Sequence, residues 1–166
     1  MAETNPGWSI NISSGNLPED FGLPKNNATA TAKKMISDLK KVSLRPNDIL
    51  RAVDALTALK KKFEKELEHP ENGSALELAK EYMTDVLEVS GKVLERQNPW
   101  QELTEADSGR ASGRVQDTVV SAAVKVAELL SNRTEDFKKE NIHNATMNAK
   151  VTLRTQTPKQ VDSPLQ

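Results

Sequence analysis

From residue 28 to residue 130 the apolar positions recur in steps of three and four, the repeat that gathers side chains on one stripe of an α-helix. Ala28, Ala32, Met35, Ile36 and Leu39 define one stripe, and Ile49, Val53, Leu56, Leu59, Phe63 and Leu67 a second. Leu76, Ala79, Met83, Val86, Val93 and Leu94 form a third, and Val115, Val119, Ala122, Val126, Leu129 and Leu130 a fourth. The punctuation falls between the stripes. Pro46 suits a first helical turn, where its missing N–H costs nothing. His69-Pro70-Glu71-Asn72-Gly73-Ser74 is a turn, and Asn72 or Ser74 can cap the helix that follows. Asn98-Pro99 is expected to end the third helix, because a residue before proline is pushed out of the helical region. Thr104 with Asp107 resembles a capping box, although Glu or Gln is its usual partner.

The flanks follow other rules. Residues 1–26 carry Pro6, Gly7, Gly15, Pro18, Gly22 and Pro24 among Asn and Ser, the composition of a linker or extended lead-in. Residues 143–154 alternate small or apolar with polar side chains and are rich in Thr, which suits a β-strand. A lone strand is unstable in water and needs a sheet. The final TQTPKQVDSPLQ is a polar tail. The expected fold is therefore all-α, a bundle of about four to six amphipathic helices, with a short terminal strand belonging to an absent β-sandwich. Its organisation is 1–26 lead-in, 27–134 helical unit and 135–166 the start of a β subdomain or tail.

Composition narrows the chemistry. The chain is 36% hydrophobic and 28% charged with a net charge of −1, which is no electrostatic footprint for nucleic acid. No run of 18 apolar residues occurs, so no membrane-spanning segment is expected. The absence of cysteine excludes disulfides, thiol catalysis and cysteine-based zinc sites. His69 and His143 lack carboxylates at metal-ligand spacing, and there is no phosphate loop or nucleophile elbow. No catalytic residue, cofactor or metal is expected. The run Lys60 to Glu66 is a solvated helix face with Lys60–Glu64 and Lys62–Glu66 at i,i+4 spacing. Gly109 and Gly113 fit either a close helix–helix approach or a weak first turn. The first ten residues, MAETNPGWSI, have neither the basic nor the apolar region of a secretory signal, so a chain truly starting at Met1 would stay in the cytosol.

Two features point outward from the core. Asn-x-Ser/Thr sequons occur at Asn11, Asn27, Asn72, Asn132 and Asn144, none with proline in the middle. With 12 Asn and 24 Ser plus Thr among 166 residues, chance gives about 1.7, so these five are candidate N-glycosylation sites. The competing explanation is that Asn, Ser and Thr are common at caps and turns. Trp100, between the third and fourth stripes, is expected to be a structural anchor, with an exposed partner-binding role as the alternative.

The stretch from Trp100 to Lys150 also resembles the adhesion G-protein-coupled receptors, in the GAIN domain beside their membrane part. The likeness lies in Trp100-Gln101-Glu102-Leu103, then the helical pattern from Val115 to Leu130, then Glu140-Asn141-Ile142. Upstream, Thr31 to Leu39 resembles the family's first helix, and Ser43 to Leu56 its loop-to-helix step. Of the subfamilies it is most similar to the latrophilin type. The resemblance covers residues 28–154 and implies the helical subdomain A, which packs against a β-sandwich subdomain B. It further implies a non-catalytic extracellular module that supports the autoproteolysis-inducing domain and contributes to adhesion, ligand recognition and receptor signalling. Its partners would be that sandwich and an extracellular protein ligand, on the outer side of the plasma membrane. The family's self-cleavage motif has no counterpart in these residues, so the chain reads as a fragment. The alternative is an intracellular helical adaptor that takes a partner helix in an apolar groove.

Overall fold

A computed structural model describes residues 7–10, 15–69, 74–131, 137–143 and 148–154. Its helices are α1 (Ala28–Lys41), α2 (Pro46–Glu68), α3 (Ala75–Leu94), α4 (Gln97–Gln101) and α5 (Glu105–Leu130). The protein is an all-α bundle in which the four long helices lie where the four apolar stripes predict them. α3 is flanked by α1 and α5, and α2 packs on α5 and α1.

Each long helix starts on a group that satisfies its free N–H donors. Asn27 Oδ1 accepts from Ala30 N at 2.8 Å, Ser74 Oγ from Glu77 N at 3.2 Å and Thr104 Oγ1 from Asp107 N at 3.0 Å. Pro46 opens α2, where the carboxylate of Asp48 accepts from Arg45 N at 2.9 Å. The Asp48 carboxylate therefore does the capping, since a guanidinium has no acceptor to offer. A second device ties α1 to α2: both oxygens of Glu66, in the last turn of α2, accept from Ala28 N at 3.0 Å.

The stripes meet in one core. Met35, Leu39, Ile49, Val53, Leu56, Met83, Val86 and Val126 are wholly or almost wholly buried. Phe63 of α2 stacks on Tyr82 of α3 with ring centroids 3.8 Å apart and planes 7° from parallel. Two polar groups in this core, Tyr82 Oη and Ser90 Oγ, have no hydrogen-bond partner. Burial, and then the charge of Glu64, push the Tyr82 phenol well above its usual range.

The structure corrects three local expectations. α3 ends at Leu94, before Asn98-Pro99, and Pro99 sits buried in the first turn of α4, where its missing N–H is harmless. Leu94 itself is 39% exposed, because it follows Val93 by one residue, about 100° around the helix, and both cannot face the core. Finally, the C-terminal strand is not alone. β1 (Phe137–His143) and β2 (Asn148–Arg154) pair antiparallel, from Phe137 opposite Arg154 to His143 opposite Asn148. The ladder partner that an isolated strand requires is thus supplied from within the chain. Phe137-Lys-Lys-Glu-Asn-Ile-His lacks clean alternation, which hides it from a period-two reading.

Candidate functional site

The largest departure from expectation lies in the lead-in. Its backbone is irregular, as the Gly and Pro content requires, but its described parts do not form a free linker. Trp8, Leu17 and Phe21 are only 6%, 5% and 6% exposed and belong to the same core as the helices. Residues 7–10 and 15–22 form a strap across α2 and α5, held by polar side chains of those two helices.

α2 contributes Asp48, Arg51 and Asp54, spaced by three, and α5 contributes Asp107, Arg110 and Arg114, spaced by three and four. These spacings put each trio along one side of its helix. Asp48 is fully buried, and its carboxylate accepts from Asn16 N at 2.9 Å and Leu17 N at 3.0 Å in addition to Arg45 N. Arg51 answers with the opposite polarity, donating from Nη1 to Leu17 O at 3.0 Å and from Nη2 to Pro18 O at 2.8 Å. Asp107, also fully buried, accepts from Ser9 N with both oxygens at 2.9 and 3.0 Å, and Arg110 donates to Gly7 O. Carboxylates take the strap's N–H groups and guanidiniums serve its carbonyls. Those groups of an irregular main chain are thereby satisfied by side chains of the two helices.

Trp8 is the strap's principal side-chain contact. Its indole Nε1–H donates to Asp54 Oδ2 at 3.0 Å. Arg114 pairs with Asp54 Oδ1 at 3.2 Å and lies 4.8 Å from the centroid of the Trp8 ring. Asp54, Trp8 and Arg114 thus combine a hydrogen bond, an ion pair and a cation–π contact. Burial pushes the Asp54 carboxyl above its ordinary value, against the Trp8 hydrogen bond and the Arg114 charge, which pull it down. Two glycines let the strap come this close. At Gly15 a Cβ would stand 2.2 Å from Asp48 Oδ1. Gly22 has φ +79°, and a Cβ there would meet that of Ala55 at 2.7 Å.

The candidates drawn from the sequence lie elsewhere. Asn27 is exposed at the start of α1; its Oδ1 accepts from Ala30 N and from Thr29 Oγ1, at 2.8 and 2.9 Å. The cap uses the carboxamide oxygen, so it is compatible with an oligosaccharide on the nitrogen. Asn11, Asn72, Asn132 and Asn144 lie outside the described residues. Trp100, in α4, is partly buried against the core, and its Nε1–H donates to Val93 O at 2.8 Å, near the end of α3. The more enclosed tryptophan is Trp8. Gly109 and Gly113 make no close helix approach, for a Cβ on either would meet nothing within 4 Å. Lys62 pairs with Glu66 at 3.3 Å, whereas Lys60 reaches across to Asp117 of α5 at 2.9 Å. Among the described residues no group of three or more His, Asp or Glu side chains could hold a metal ion.

No family model, curated protein or solved structure matches this chain. The chemistry of the strap site is therefore read from its own residues. The two trios are equipped to hold an extended peptide, with acceptors for its N–H groups, donors for its carbonyls and a pinned seat for an indole. Three large apolar residues within a Gly- and Pro-rich lead-in were the available signal for this site. The two aspartates at third helical positions, Asp48 and Asp107, were another.

Proposed function

We propose that this chain is a non-catalytic helical module of the extracellular region of an adhesion-type G-protein-coupled receptor, a support and recognition element. Its partners in this reading are the receptor's β-sandwich subdomain and an extracellular protein ligand. The observation that carries the proposal is Asn27. It heads a sequon, is exposed, and caps α1 through its oxygen alone. The reading draws also on the family likeness along residues 28–154 of the sequence. No helix among the described residues is long and apolar enough to cross a membrane.

The test is glycan occupancy on protein recovered from its native cells. Enzymatic release of N-glycans in heavy-oxygen water, followed by peptide mapping, is expected to return Asn27 as labelled aspartate. Unmodified asparagine at all five sequons would overturn the extracellular reading. The second reading, an intracellular adaptor for a partner helix, would then take its place. That reading draws on Val120 and Val124, which stand four apart on α5 and are 52% and 49% exposed.

A further inference from the structure

The strap is bound as a peptide ligand is bound. Its main chain is gripped by side chains of α2 and α5, and its large apolar side chains, Trp8, Leu17 and Phe21, are buried. The link from strap to α1 is of a different kind. Leu23, Pro24, Lys25, Asn26 and Asn27 are all exposed, and the hydrogen bonds of this link are local: Leu23 N to Asp20 O at 3.1 Å, Lys25 N to Thr31 Oγ1 at 2.8 Å and the Asn27 cap on Ala30 N at 2.8 Å. A well-anchored segment joined by a short, exposed, proline-containing connection is the arrangement in which identical segments exchange between copies. Exchange preserves every contact of the groove, so it costs only the entropy of association.

We propose that the α2–α5 face is a binding groove for an extended, tryptophan-bearing segment. It is filled here by the chain's own residues 7–10 and 15–22 and accepts the same residues from a second copy. Asp54 and Arg114 select the indole, while Asp48, Arg51 and Asp107 hold the backbone and are indifferent to the side chains between. The inference does not rest on the extracellular reading and stands equally for an intracellular protein.

The test uses full-length chains. A Trp8→Ala chain has an intact groove and a weakened strap, whereas an Asp107→Ala chain has an intact strap and a weakened groove. Each alone is expected to sediment as a monomer at micromolar concentration, and their mixture to give a 1:1 heterodimer. In parallel, a fluorescein-labelled peptide of residues 7–22 is expected to bind the Trp8→Ala chain at one site. Replacing the peptide's tryptophan with alanine should weaken that binding at least tenfold. If Trp8→Ala loses its helical circular dichroism, Trp8→Phe serves instead, since it keeps an aromatic ring while losing the donor to Asp54 and part of the indole's area. A peptide that fails to bind, or that binds equally well without its tryptophan, overturns the groove. A peptide that binds while the mixed chains remain monomeric overturns the second copy as its occupant.

Discussion

Gly15 and Asp48 offer a sharp test of how the strap is held. In Gly15→Ala the new Cβ would lie 2.2 Å from Asp48 Oδ1. The carboxylate cannot retreat, because it is fully buried and fixed by Asn16 N, Leu17 N and Arg45 N at 2.9–3.0 Å. The strap must therefore lift at residues 15–17 and surrender two of those donors, at a cost of about 2 kcal/mol. Asp48→Ala frees the space and strands all three donors. The Leu17 N–H is buried and the other two are partly open to water, so the cost is about 3 kcal/mol. Both substitutions destroy the same contacts, so the double variant should lose about 3 kcal/mol, not the additive value of about 5 kcal/mol. Urea unfolding of the four proteins measures the cycle. At an m-value of roughly 2 kcal/mol/M, the Asp48→Ala midpoint falls by about 1.5 M. Asp48→Asn should fall nearly as far despite its matched shape, because its NH2 would face backbone donors. Strict additivity of the two substitutions would refute the contact between Gly15 and Asp48 as the cause.

Other outcomes follow from the same geometry. Tyr82→Phe and Ser90→Ala each remove a buried hydroxyl that has no partner, so neither should destabilise and each should gain up to about 1 kcal/mol, read as a higher unfolding midpoint. Trp100→Ala should cost about 2–3 kcal/mol in the same assay, less than loss of a fully enclosed indole, because Trp100 is only partly buried. Asp54 and Asp85 are both raised in the fold, in each case chiefly by burial, opposed by their partners Arg114 with Trp8 and Lys33. A raised carboxyl binds its proton more tightly when folded, so its contribution is full below the ordinary value of 3.8 and is lost as pH rises through the folded pKa. Chemical unfolding from pH 3 upward should show that loss. The paired substitutions Asp54→Asn and Asp85→Asn should flatten it, and an unchanged slope would count against the burial argument.

The bundle was legible because its signal is local. Apolar residues at helical spacing, Pro46, Ser74 and Thr104 each report on the few residues around them, and the elements follow. The strap was not legible, because its signal is distributed. Asp48, Arg51, Asp54, Asp107, Arg110 and Arg114 have the look of a solvated helix side, and a charged side chain carries no mark of the distant backbone it will meet. Thr104 and Asp107 show the difference within one motif. Thr104 caps α5 as its position predicts, yet the Asp107 carboxylate, expected to complete a capping box, reaches Ser9 of the strap instead. β1 was not legible for a related reason, since a strand is defined by its neighbour and Phe137–His143 carries little alternation of its own.

The span of the strap's contacts also orders events in time. Trp8 meets Asp54 across 46 positions, but Ser9 meets Asp107 across 98 and Gly7 meets Arg110 across 103. On a ribosome the strap emerges before α5 and must wait for that helix before it can dock fully. Until then the indole of Trp8 and the ring of Phe21 travel uncovered on a nascent chain, and α2 carries half of their seat. Closure of such long loops is the slow entropic step in folding. The strap therefore docks only after α5 has emerged, and the interval before it docks is when neighbouring nascent chains could supply one another's straps.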